Sequence, residues 1–265
     1  MPASALDLVG LIEDVIGTQR PLRRLSVQKR RIFALDLAFV ALALRCAWLV
    51  DIIVVPEAEE AYAGLLQALR QREPIFHGVE HVFEHGSQQS FFVNTSQCRS
   101  LLNTVSNVAF MSVDQEPQLV GGQPLSHWML MCYSQLAEPP PDVLQVLSHL
   151  AEHFALPSDL PSTTAIPLAA VLLGYPVAYV PGQSNSLEQV TLDVYALKLR
   201  APGWDSEHTL IKFSCPAALA GIHPARLSPT RIVAELKQRF ETRVAALGFT
   251  MSLEHSTDIL ARIAL

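Results

Sequence analysis

The pattern His-x-x-Glu-His occurs twice in this chain, as His77-Gly78-Val79-Glu80-His81 and as His149-Leu150-Ala151-Glu152-His153. On a helix this spacing sets two imidazoles one turn apart, where they can hold zinc while the glutamate activates a water, as in inverted zinc peptidases. The first copy contains Gly78 and lies in alternating, strand-like text, where His77 and His81 share a sheet face but lie too far apart to close one tight site. The second copy lies on a helix. There His149 and Glu152 fall with Asp142 and Gln145 on a polar stripe opposite Leu144, Leu147, Ala151 and Phe154, which is the pattern of an ordinary solvated face. Nothing singles out a third ligand, so no metal is expected, and His149, Glu152 and His153 are the set a metal would use.

A second constellation consists of polar groups at or near strand ends: Asp51 inside the first apolar strand, Asn94 after a hairpin, and Asp114 closing Val108-Ala109-Phe110-Met111-Ser112-Val113-Asp114. Open α/β sheets bind ligands beyond the carboxyl ends of parallel strands, where a carboxylate can orient a hydroxyl, hold Mg²⁺ or act as a base. Each residue also has a purely structural reading: Asn94 as a helix cap, Asp114 as a turn residue, Asp51 as a buried acceptor that needs a partner. For nucleophilic chemistry, Cys98 opens a helix and Ser214-Cys215 ends a strand, but neither has a base in its local sequence, and buried structural cysteine is the reading taken. Gly121-Gly122 is too short to cradle a phosphate. No cofactor is indicated.

The elements that would position these groups follow from hydrophobic periodicity. Helices are predicted over about 3–18 and 27–45, then a two-sided buried strand over Trp48–Val55, then a helix from Pro56 with Glu57, Glu59 and Glu60 in its first turn and Arg70 and Arg72 near its end. A hairpin spans 75–94, a helix capped at Asn94 or Thr95 runs to about 107, and a strand covers 108–114. Helical text over 125–154 is broken by Pro139-Pro140-Pro141. The stretch 166–200 joins an apolar helix to strands through Leu173-Gly174-Tyr175-Pro176, since Gly174 can take a positive φ and Pro176 bars continuation. Tyr175 and Tyr179 beside this turn read as core residues with bonded hydroxyls. Strands over 189–200 and 208–215 form a second hairpin around Trp204-Asp205-Ser206. Pro229 opens a helix with the stripe Ile232, Val233, Leu236, Phe240, Val244 and Leu247, stopped by Gly248. A short strand, 249–254, and a helical tail complete the chain.

These elements make an α/β fold, expected as a single domain over 1–265: a central mixed sheet, parallel-like in its first part and antiparallel around 176–215, flanked by helices. Half the 265 residues are hydrophobic and 17% are charged, which suits a large core rather than disorder. The run 32–50 has the length of a membrane span but carries Asp36 and Arg45, so a buried helix running into a strand is the reading taken. The opening residues carry Asp7, Glu13 and Asp14 and no basic leader, so no targeting cleavage is expected. The four cysteines are far apart with apolar neighbours, as in a reduced cytosolic or nuclear protein. A net charge of −6 gives no general attraction to nucleic acid. One local exception is basic: Arg20, Arg23, Arg24, Lys29, Arg30 and Arg31, a solvated helix end that also suits an anion or protein contact.

With Leu173-Gly174-Tyr175-Pro176-Val177-Ala178-Tyr179 read beside the strand Val190–Arg200, the arm His208–Pro216 and Trp48-Leu49-Val50-Asp51, the chain resembles the animal protein family of chromosome 1 open reading frame 74. That resemblance implies a soluble animal protein and transfers no catalytic or binding residue. The expectation is therefore a soluble intracellular protein, cytoplasmic or also nuclear, acting as an interaction or scaffold protein. The alternative is a small-molecule or nucleotide-handling enzyme using Asp51, Asn94 and Asp114.

Overall fold

The structure is a computed structural model, and it describes residues 4–113, 136–181, 186–202, 204 and 206–264. It has the expected α/β character, with helices beside both parallel and antiparallel sheets. Among the described residues the strands form three three-stranded sheets, distributed over two compact units.

The first unit comprises residues 4–103, 144–161 and 172–174. It opens on helix α1 (Ala5–Thr18), where Ser4 and Asp7 form a capping box. Helix α2 (Val27–Ala41) is buried continuously from Phe33 to Ala41, which explains its unbroken apolar text. No helix among the described residues is long and apolar enough to cross a membrane. Asp36 and Arg45, the two charges in that run, are paired with each other, Nη1 to Oδ1 at 2.7 Å.

Strands β1 (Ala47–Leu49), β2 (Val79–Glu84) and β3 (Gln89–Asn94) form an antiparallel sheet in the order β1-β3-β2. Parallel pairing, expected in this first part, is found instead between β4 (Ala109–Val113) and β6 (Val177–Pro181), the second unit's strands described below. The long strand predicted over 48–55 is cut to three residues: Val50 N still donates to Ser90 O at 2.9 Å, and beyond it the chain leaves the ladder. The sheet packs its aromatic side chains against α2 and α3 (Ala58–Arg72). Phe33 meets Trp48 edge-on at 4.8 Å, Trp48 stacks on Phe92 at 5.9 Å, and Tyr62 from α3 meets Phe92 at 5.2 Å. Helix α4 (Thr95–Leu101) follows β3 directly.

The second unit holds the other two sheets. In one, β4 pairs in parallel with β6 and antiparallel with the two-residue β5 (Leu136–Ala137). Two helices lie between β5 and β6 in the sequence, α5 (Pro141–His153) and α6 (Ser162–Leu173). Gly174 stops α6 with φ 74°, and Tyr175 N bonds Ala170 O at 2.9 Å, so the predicted helix stop feeds β6 as expected. The last sheet, in the order β8-β7-β9, is wholly antiparallel: β7 (Ser186–Arg200), β8 (His208–Pro216) and β9 (Thr250–Ala264). Helix α7 (Pro229–Ala246) buries Ile232, Leu236, Phe240 and Val244, and Gly248 ends it with φ 80°. The helical tail predicted after residue 254 is strand, because β9 pairs residue by residue with nearly all of β7.

Candidate functional site

A concavity of the first unit lies where β1 gives out. Residues 51–54 make no backbone–backbone hydrogen bond among the described residues, so their N–H and C=O groups stay open on the surface. Glu57, at φ 51°, turns this segment into α3, and its left-handed backbone sets the helix start at Ala58 rather than at the predicted Pro56. Facing the segment is the β2–β3 turn, fixed by the buried carboxylate of Glu84, which accepts from the amides of Gly86 at 2.8 Å and Ser87 at 2.6 Å and from the Ser87 hydroxyl. Burial pushes that carboxyl up, yet the Ser87 and Gly86 hydrogen bonds and the neighbouring His85 hold it below its ordinary value. A Cβ on Gly86 would stand only 3.0 Å from Glu84 Oε1, so glycine fits this turn tightly.

Between these two walls is a groove of about 720 Å³. Leu49, Ile53, Val54 and Phe83 give it an apolar lining, and Val54 is 96% exposed. Asp51, Glu57, Glu59 and Glu60 give it four exposed carboxylates, while no Lys, Arg or His lines it. The two glutamates on α3 also complement the positive end of that helix, which removes the usual attraction of a helix start for phosphate.

The strand-end trio does not assemble. Asp51 is exposed on the groove rather than buried in a strand, because β1 ends two residues earlier. Asn94 is buried at the other end of the sheet: its Oδ1 accepts from Gln97 N at 3.1 Å and Ser96 Oγ at 2.7 Å, and its Nδ2 donates to Val40 O at 3.0 Å. Asn94 N bonds Cys46 O, five residues before Asp51, so about 16 Å of extended chain separates the two side chains. Asn94 is thus the helix cap, and Asp114 lies outside the described residues.

His149, Glu152 and His153 lie exposed on α5, with the imidazoles 4.6 Å apart and Glu152 3.7 Å from His153. His77 is in a 3-10 helix (Pro74–Gly78), Glu80 pairs with Arg70 at 2.7 Å, and His81 is packed against Tyr62 and Phe92. Among the described residues no three His, Cys, Asp or Glu side chains come together to hold a metal ion. In the basic cluster, Arg31 pairs with Glu13 at 3.1 Å and Arg30 donates to Arg23 O at 3.2 Å, while Arg20, Arg23, Arg24 and Lys29 project into solvent. Gly121-Gly122 lies outside the described residues. Tyr179 donates to Ser214 O at 3.0 Å and Tyr175 packs on Phe213, so both tyrosines are structural.

Neither cysteine candidate is available as a nucleophile. The Cys98 thiol is held below its ordinary value, first by the Cys46 thiol hydrogen-bonded to it and then, against burial, by the Arg99 charge, but its side chain is fully enclosed. Burial and the adjacent Asp193 push Cys215 up to about 12. Native protein is therefore expected to leave Cys46, Cys98 and Cys215 unmodified by iodoacetamide over hours, with all three alkylated in urea; peptide mass mapping checks this, and prompt native labelling of Cys98 would overturn it.

One polar group went unread in the sequence. Asp193 is buried on β7, where its Oδ1 lies 2.9 Å from His255 Nε2 and accepts from Thr257 Oγ1 at 3.3 Å, both on β9. Tyr195, next along the same face, stacks on His255 at 4.8 Å, and its buried hydroxyl has no partner among the described residues. The available signal was an aspartate at an inward position of the alternating text Leu192-Asp193-Val194-Tyr195. Its partners lie more than sixty residues away and could not be paired with it without the β7–β9 register. The second unit also has a polar cavity of about 440 Å³ beside Pro176, lined by Arg226, Arg231 and Glu235, in which Arg226 donates to the carbonyls of Ser106, Asn107 and Val108.

No protein-family model matches the chain, and neither a curated protein nor a solved structure shows significant similarity to it.

Proposed function

We propose that this is an intracellular interaction protein that docks a partner in the groove of its first unit, consistent with the resemblance drawn from the turn at Gly174 and with Cys46, Cys98 and Cys215 being buried and in no disulfide. The observation that carries this reading is the combination of open backbone at 51–54 with the nearly fully exposed Val54, beside a concavity walled by a rigid turn. Apolar side chains and unladdered backbone together on one concave surface are what a docked segment covers.

The enzyme alternative loses its main support, since Asp51 and Asn94 face different surroundings at opposite ends of the sheet. A bare phosphate in the groove would meet four carboxylates and no cationic side chain. Thermal unfolding with ATP, GTP or NAD, each at millimolar concentration with Mg²⁺, tests the reading. A ligand at about a hundred times its Kd adds on the order of 2.7 kcal/mol to the native state, enough to move Tm by several degrees. Docking predicts that Tm stays within about 1 °C; a shift of several degrees that Asp51→Asn abolishes would restore the enzyme reading.

A further inference from the structure

We infer that the occupant of this groove is an extended, basic segment of another protein, with Lys or Arg flanking a bulky aliphatic residue; this rests on the docking reading above. Charge decides the sign. Asp51, Glu57, Glu59 and Glu60 surround the groove, no ion pair engages any of the four among the described residues, and no basic side chain lines it. An acidic partner is repelled and a neutral one leaves the carboxylates unmatched, whereas Lys or Arg side chains match them from the rim, where their heads remain hydrated.

Backbone decides the form. The four residues 51–54 offer about 13 Å of chain whose N–H and C=O groups have no backbone partner among the described residues, which is the length a short extended segment can pair with, whereas a helix has satisfied its own groups already. The apolar lining decides the anchor. Val54, Leu49, Ile53 and Phe83 are exposed or half-exposed apolar side chains of the groove, and a Leu, Ile or Val placed between the basic residues covers them.

The test is fluorescence anisotropy with the whole 265-residue chain and four synthetic peptides of about eight residues: one alternating Lys or Arg with Val or Leu, its charge-inverted form with Glu, a neutral form with Gln, and a basic form with Ser in place of the aliphatics. The first peptide is expected to bind at least about tenfold tighter than each of the others and to weaken several-fold on raising salt from 0.05 to 0.3 M, in the ranges that charge matching and one buried aliphatic give. Val54→Ser and the double variant Glu59→Gln, Glu60→Gln should each weaken it about tenfold, with Tm of Val54→Ser unchanged because the Val54 side chain touches little. Equal binding of the Ser-substituted basic peptide would overturn the aliphatic anchor and with it the inference. Preferred binding of the neutral or inverted peptide, lost in Val54→Ser, would overturn the basic partner while leaving docking in place. Absence of binding by all four would overturn the inference, and a groove whose variants alter nothing in any arm removes the docking reading too. Concentration-dependent dimerisation in sedimentation velocity, abolished by Arg23→Glu with Arg24→Glu, would make the occupant a second copy of this chain and overturn the inference.

Discussion

Arg45→Met is expected to lower the unfolding free energy by about 3–5 kcal/mol, a large part of the roughly 5–15 kcal/mol that holds a typical domain. Arg45 and Asp36 are only 7% and 5% exposed, and Arg45 uses Nη1 on Asp36 Oδ1 at 2.7 Å and Nε on Ala47 O at 2.9 Å. Removing the guanidinium takes the counter-charge from a carboxylate buried in the apolar helix α2 and the donor from a carbonyl at the margin of β1. The midpoint of urea unfolding, followed by tryptophan fluorescence, reads the effect. An unchanged slope with a shifted midpoint assigns it to stability alone. A loss below about 1 kcal/mol would refute the buried pair, and Asp36→Leu combined with Arg45→Met should regain most of the loss, since an apolar pair of similar volume carries no desolvation cost.

The same variant tests how the groove is held. Along β1 the backbone groups of alternate residues face β3, as Cys46 O does in bonding Asn94 N. The Ala47 carbonyl therefore points to the outer margin of the sheet, and Arg45 seals it there. That contact fixes the strand whose continuation, Val50 to Val54, forms one groove wall. Arg45→Met should then weaken the basic peptide at temperatures where the protein is still folded, while the double variant, which restores packing but not the seal, should recover stability more fully than binding.

The run from Ile32 to Val50 shows how far the residues alone could be read. Its apolar density correctly indicates burial, and the two charges that argue against a membrane are those that meet inside the first unit. What periodicity does not contain is the point at which a β-branched run leaves its ladder: Asp51 to Val55 read like more strand, but β3 offers its last bond at Ser90. The groove arises from that departure, which residue spacing does not encode, although Asp51 and the acidic start of α3 are legible in the sequence. The tail after Glu254 failed in the opposite way, since its spacing suits a helix while pairing along β7 makes it a strand. Local signals placed at turns did best, as at Gly174, Gly248 and Asn94, because a positive φ or an unpaired helix amide is decided within a few residues.

His81 should impose a loss of stability on acidification, as large as about 3 kcal/mol by pH 4. Its ring lies among Tyr62 at 5.0 Å, Phe92 at 5.6 Å and Phe83 at 6.4 Å, and its buried Nε2 has no partner among the described residues. Burial therefore pulls its pKa from 6.5 to about 4 in the folded protein. A depressed folded value means that the unfolded chain binds the proton first, so this contribution is whole above pH 6.5 and drains away as pH falls from 6.5 towards 4. The Glu84 carboxyl, also held low, acts in the same direction but only below its ordinary 4.5, so the upper part of the window reports His81. His81→Phe keeps a ring against Tyr62 and Phe92 and removes the titration. Urea midpoints measured at intervals from pH 7 to pH 4.5 should fall for the native sequence and stay nearly level for the variant. Parallel curves would mean that His81 is charged in the folded protein, and that its pocket is wetter than the packing of Tyr62 and Phe92 allows.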